Sequence, residues 1–237
     1  MTYDPRTLET LRADAAQIVA RYPSARSALL PMLHLVQSVD GYVSPDGTAF
    51  CAETLELTAA EVSAVATFYS QFKRQPNGKY TLGVCVTSLC GVMGGDAIYE
   101  RLSEYLAVGN DETTADGLFT LEKIECNAAC DYAPVLMVNW EFFDNQTPSS
   151  AVQLVEDIRG SRAVRPSRGP DRLATFKEVS RVLAGFEDGH ANEGPAAGQP
   201  SLEGVDLAAR NLWAAPPLPA AGSVRATPAT LEGDETK

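Results

Sequence analysis

YTLGVCVTSLCGVMGG at residues 80–95 and FTLEKIECNAACDYAPVLMVN at residues 119–139 are the two stretches that decide the fold. Each opens on a short apolar run of strand character and then breaks at a pair of cysteines. Four residues separate Cys85 from Cys90, three separate Cys126 from Cys130, and 35 lie between the pairs. Ile98, Leu102 and Leu106 repeat at helical spacing between them, so residues 94–108 read as a helix. If the strands flanking that helix are parallel, their ends emerge on the same side of the sheet and the two cysteine loops meet there. VLMVN reads as a third strand and WEFFDN as a fourth strand or hairpin arm. SSAVQLVEDIR closes the region with Val152, Val155 and Ile158 on one helical face. This order predicts an α/β sandwich of thioredoxin type.

Four converging thiolates suit a small number of chemistries. A [2Fe–2S] cluster takes four thiolates, two per iron, and a four-residue gap recurs in one ferredoxin spacing. Zinc sites use paired gaps of about two to four residues, so spacing leaves zinc open. Dithiol chemistry of the thioredoxin kind needs two cysteines two residues apart, and this chain has no such pair. The loops lean toward the cluster. Gly91, Gly94 and Gly95 would let backbone N–H groups approach sulfur beside a helix N-terminus, and Val92, Met93, Ala128, Ala129 and Val135 would form an apolar shell. Thr87 and Ser88 either donate to sulfur or shape the turn, and Pro134 fixes the loop beside Cys130.

Outward from this region, residues 1–75 read as a helical bundle. Leu8, Leu11, Ala15, Ile18 and Tyr22 mark a first helix that Pro23 ends. A second runs through SALLPMLHLVQSVD, with Ser24 as its cap, Pro31 near its first turn and Gly41 as its stop. A third lies near residues 48–55. Thr58 and Glu61 form a capping box ahead of Val62, Val65, Tyr69 and Phe72. Phe68 and Tyr69 are expected in the core, Cys51 and His34 as buried packing residues, and His190 in solvent. A second capping box, Thr175 with Glu178, precedes Phe176, Val179, Leu183 and Phe186. The chain from residue 186 onward is rich in Pro, Gly and Ala and reads as an extended tail, with Leu202, Val205, Ala209 and Leu212 as a helix forming against a partner. The expected division is a helical bundle over 1–75, the cysteine-bearing domain over 76–160, and a basic linker, short helix and tail over 161–237.

The net charge of −12 argues against general binding to nucleic acid or anionic lipid. The segment from Arg159 to Arg181 is the exception: seven basic residues against Asp171 and Glu178 read as either a docking surface or a solvated loop. No apolar run is long enough to span a membrane, and the N-terminus has no secretory signal character, so the chain reads as cytoplasmic.

VATFYSQF, the Pro76-Asn77-Gly78-Lys79 turn, the two cysteine motifs and LLPMLHLVQSVDGYVS together resemble the small thioredoxin-like [2Fe–2S] subunit of NADH–quinone oxidoreductase, respiratory complex I, over about residues 5–160. The resemblance implies an N-terminal helical bundle followed by a thioredoxin-like [2Fe–2S] ferredoxin domain, an α+β and α/β architecture. It implies one cluster held by Cys85, Cys90, Cys126 and Cys130, with no catalytic residue in this chain. It also implies a place in the peripheral arm on the cytoplasmic face of the membrane, with FMN and NADH on a partner subunit beside other iron–sulfur subunits. Single electrons would pass between the cluster and that flavin. Related subunits serve NAD-linked hydrogenases and formate dehydrogenases, and a structural zinc adaptor is the rival of another class. Where many relatives carry Pro before the second cysteine and Gly within the second pair, this chain has Leu89 and Ala128.

Overall fold

The computed structural model describes residues 3–214. The part of the expected tail beyond residue 214 lies outside the described residues. Residues up to Gln199 form one compact unit and those from Pro200 a second.

The first unit begins with helix α1, Pro5–Val19, whose start is fixed by Asp4 accepting from the Arg6 and Thr7 backbone N–H groups at 3.0 and 3.1 Å. Helix α2, Leu29–Asp40, follows a short 3-10 turn at Ala25–Ala28 and carries Pro31 in its first turn, where a missing N–H costs nothing. Gly41 ends α2 in the left-handed region at φ +81°. The third helix, α3, Pro45–Leu55, starts three residues earlier than its apolar spacing suggests, because Ser44 caps it and Pro45 occupies its first position. The capping box of Thr58 and Glu61 opens α4, Ala59–Phe68. Leu11, Ile18, Met32, Leu33, Leu35, Phe50, Cys51 and Val62 are buried together between these helices.

Helix α4 stops at Phe68, four residues short of the expected run, and Tyr69 is extended. Phe72 folds back through a turn onto His34, ring centroids 4.7 Å apart, while Phe68 and Tyr69 remain exposed. The expectation that Phe68 and Tyr69 lie in the core is therefore corrected: α4 turns Val62 and Ala66 inward and leaves Phe68 on its outer face, and past the helix end Phe72, not Tyr69, reaches the core.

The sheet then forms from β1, Tyr80–Cys85; β2, Glu112–Thr113; β3, Phe119–Ile124; β4, Leu136–Val138; and β5, Glu141–Phe143, in the order β2-β3-β1-β4-β5. Strands β1 and β3 are parallel, as the intervening helix requires, and every other pairing is antiparallel. Between β1 and β2 lie α5, Ser88–Val92, and α6, Gly95–Leu106; α7, Pro148–Arg159, follows β5. The two-residue periodicity of a strand separates the faces. Leu82, Val84, Phe119, Leu121, Leu136 and Val138 pack against Ile98 and Leu102 of α6 and Val155 and Ile158 of α7. Thr81, Gly83, Thr120, Glu122 and Met137 look the other way, into a cleft that the segment from Ala66 to Asn77 also lines.

Beyond α7 the chain turns back. Helix α8, Phe176–Leu183, packs on α2, with Phe176, Ser180 and Ala184 inward and Leu183 exposed. Gln37 of α2 meets the small Ser180 at that contact. The Gln37 amide donates to Ser180 Oγ at 3.3 Å and to the Gln71 carbonyl at 3.2 Å and accepts from the Lys73 N–H at 2.8 Å. Asp14 pairs with Arg181 at 2.7 Å. By itself, helix α9, Gln199–Arg210, exposes Leu202, Val205 and Leu207, and Leu212 lies past its end.

Candidate metal centre

Cys85 is the last residue of β1 and lies opposite Ile124, the last residue of β3, so Cys126 falls two residues beyond the neighbouring strand end. Cys90 sits in α5, and Cys130 opens a short 3-10 turn, Cys130–Tyr132. Parallel pairing thus brings the ends of both motifs to one place. Cys85, Cys90, Cys126 and Cys130 line a single small cavity with Asn127, Ala129 and Val135. The Cys126 and Cys130 sulfurs are 3.7 Å apart. Cys85 and Cys90 are buried, while Cys126 and Cys130 are exposed, so the centre has an inner and an outer half.

The glycines act differently from expectation. A Cβ on Gly95 would stand 2.4 Å from the Cys85 carbonyl oxygen and 2.9 Å from that of Cys90, and one on Gly91 would stand 2.9 Å from the Val86 carbonyl. These glycines let the backbone of the first loop fold tightly on itself. A contact to sulfur comes from another residue: the Ala128 N–H donates to Cys126 Sγ at 3.4 Å. Ala128 makes its contact from the left-handed region, φ +57°, where an alanine is strained and glycine is not. Thr87 precedes α5 without a side-chain cap, and its carbonyl accepts from the Gly91 N–H at 3.3 Å, a turn-shaping role. The peptide before Pro134 is cis. Of the expected apolar shell, Ala129 and Val135 are buried; Val92, Met93 and Ala128 are exposed, which corrects their assignment.

Burial pushes the Cys90 thiol up to about 11, with the neighbouring Cys85 adding to the effect. Cys130 is also raised, first by its hydrogen bond with Cys126 and then by desolvation, with smaller contributions from other charges including Asp131. Both shifts favour the protonated thiol at Cys90 and Cys130, and a positively charged inorganic core is what would hold thiolates there. Among the described residues, no three His, Cys, Asp or Glu side chains converge closely enough to hold one metal ion. Four thiols surround a space instead of a point, the donor set that a two-iron cluster takes. The residues present fit that group.

The other candidates are accounted for. Cys51 is fully buried and its thiol is pushed up to about 12 by desolvation; His34 is pushed down to about 4 by burial, so it is neutral. His190 faces Glu193 at 2.9 Å. The basic segment is no free cationic surface: Arg162 pairs with Asp157, Arg165 with Asp171, Arg172 with Asp188, and Arg168 is buried between Asp131 and Asp144. Sequence reasoning passed over Asp131, Asp144 and Asn127, because their partners lie elsewhere in the fold and no local spacing marks them.

Residues 15–159 match the family of the thioredoxin-like [2Fe–2S] ferredoxins. A subunit of the NADH-quinone oxidoreductase of Mycobacterium tuberculosis is 56% identical over 221 residues, 93% of this chain and 87% of its own length. A second such subunit, from Thermus thermophilus, is 40% identical over 124 residues, 52% of this chain and 68% of its own. Among solved structures, an NAD+-reducing [NiFe]-hydrogenase in the air-oxidized state superposes with a TM-score of 0.51 at 22% identity, over 56% of this chain and 23% of that one. At that identity the likeness is one of fold. Among the described residues no helix is long and apolar enough to cross a membrane.

Proposed function

The chain belongs to the thioredoxin-like [2Fe–2S] ferredoxin family, and from that premise we propose that Cys85, Cys90, Cys126 and Cys130 hold its cluster, next to the flavin of a partner subunit. It serves as an electron-transfer subunit of NADH–quinone oxidoreductase. The observation that carries the site assignment is the single cavity that these four thiols share at the ends of two neighbouring parallel strands. When bound, the cluster takes up and returns one electron at a time.

The chain's own residues do the rest. Cys85 and Cys90 hold the inner half of the site in the apolar packing of Ala129, Ala133, Val135 and Met137, away from water. The N–H of Ala128 stabilises negative charge on the Cys126 sulfur, which a low dielectric otherwise disfavours. Cys126 and Cys130 present the outer half at the surface, and Leu89, Val92 and Met93, exposed on and just after the helix that carries Cys90, offer an apolar seat for the flavin-bearing subunit. NADH and FMN belong to that partner: the sequence carries no G-x-G-x-x-G fingerprint. The protein then works in the peripheral arm of the complex on the cytoplasmic face of the membrane.

The test is iron and zinc analysis of anaerobically purified protein with low-temperature EPR before and after dithionite. Two irons per chain and a spin-half signal on reduction, both lost in Cys126→Ser, are expected. One zinc per chain and no visible colour would replace the electron-transfer assignment with a structural site.

A further inference from the structure

The segment after α7 reaches the metal centre through one buried side chain. Arg168 is 8% exposed, and both carboxylates it meets are similarly enclosed. Its Nε donates to Asp144 Oδ2 at 2.8 Å, and its Nη2 donates to Asp131 Oδ1 at 2.5 Å and to Asp144 Oδ1 at 3.2 Å. The guanidinium also lies over the Phe142 and Tyr132 rings, 5.4 and 6.0 Å from their centroids. Asp131 directly follows Cys130, and its second oxygen accepts from the Gly198 N–H at 2.9 Å. Asp144 directly follows β5.

The backbone delivers Arg168 to this place. Ser167 N and Oγ both donate to the Phe142 carbonyl, at 2.7 and 2.9 Å, and Ser167 Oγ accepts from the Asp144 N–H at 3.0 Å. Gly169 follows at φ +80°, and its N–H donates to the Pro195 carbonyl at 3.1 Å. A fork of donors that spans two carboxylates needs the planar guanidinium; an ammonium offers a point charge. Without it, two enclosed carboxylates face each other, one of them attached to the Cys126–Cys130 loop.

We propose that Arg168 is a positioning residue for the metal centre: it fastens the Cys126–Cys130 loop to β5 and offsets the Asp131 charge beside Cys130. The inference rests on the assignment of the four cysteines. One guanidinium against two carboxylates leaves a formal charge of −1 beside the thiolates, and Arg168→Met makes it −2. Adding an electron to a site that is already anionic is then harder.

The experiment is a redox titration followed by EPR, with iron content per chain, on the full chain as wild type, Arg168→Met, Arg168→Lys, and Arg168→Met combined with Asp131→Asn. In Arg168→Met the reduction equilibrium is expected to fall by roughly tenfold, about 59 mV for a one-electron couple. Arg168→Lys is expected to recover part of that shift. The double variant restores the local charge of −1 and returns the potential toward wild type. A wild-type chain with a cluster and an Arg168→Met potential equal to it overturns this inference alone. A wild-type chain without iron overturns the cysteine assignment as well. Should Arg168→Met lose its iron, the double variant decides: a recovered cluster at the wild-type potential upholds the charge balance, and a cluster with the potential still lowered refutes it.

Discussion

Replacing Lys73 with Met isolates one ion pair that ties the segment before β1 to the sheet. Lys73 Nζ faces the carboxylate of Glu122 on β3, with the two side chains 14% and 12% exposed. Removing one partner of an enclosed pair strands the other charge, at a cost of about 3–5 kcal/mol. Against the roughly 5–15 kcal/mol that holds a typical domain folded, that loss is easily measured. The pH dependence identifies its origin. Burial raises the Glu122 carboxyl above the ordinary glutamate value, Asp111 adds to this, and Lys73 opposes it. A carboxyl raised on folding contributes stability that is fully present below its unfolded pKa and is lost as pH rises through its folded pKa. Lys73→Met raises the folded value further, so the variant loses most stability at pH 8 and recovers part of it at pH 5.5, where Glu122 takes up a proton. Combining it with Glu122→Gln removes the charge and restores most of the loss at pH 8. The assay is urea unfolding of the full chain by circular dichroism at both pH values. An equal loss at pH 5.5 and 8, or no recovery in the double variant, would refute the ion-pair account.

Three further outcomes follow from the geometry of the centre and the bundle. Gly95→Ala places a Cβ 2.4 Å from the Cys85 carbonyl, a backbone clash expected to cost about 1–3 kcal/mol or more and to lower iron per chain, as thermal melts and iron analysis would record. Ala128→Gly relieves the left-handed strain at φ +57° and is expected to raise stability by about 0.5–1 kcal/mol, read as an increase in urea midpoint with unchanged slope. Cys51, buried and with its thiol pushed up to about 12, is expected to resist iodoacetamide in native metal-free protein while exposed Cys126 and Cys130 react; mass spectrometry of the labelled peptides would show it.

Much of the centre was legible because its signals are local. Strand runs that end in cysteines, a helix of known length between them and short gaps within each pair leave few ways to arrange four thiols. The capping boxes at Thr58 and Thr175 were legible for the same reason: a capping box is complete within four residues. Strand β2, two residues long, carries no periodicity of its own and exists only because β3 offers an edge. The exposed places of Phe68 and Leu183 were not legible either, since which face of a helix turns inward is set by what packs on it: Val62 and Ala66 take the inner face of α4, and Phe176, Ser180 and Ala184 that of α8.

The sequence by itself determined the cysteine pairs, the parallel strand–helix–strand unit that joins them, and the helical character of the chain before residue 75. Tertiary structure alone decided that α8 returns to α2, that most arginines of the basic run pair with carboxylates of the same chain, and that Arg168 meets Asp131 and Asp144, which precede it by 37 and 24 residues. The physical reason is range. Periodicity and caps report what neighbours along the chain do, whereas the partner of a buried charge is set by how the whole chain closes.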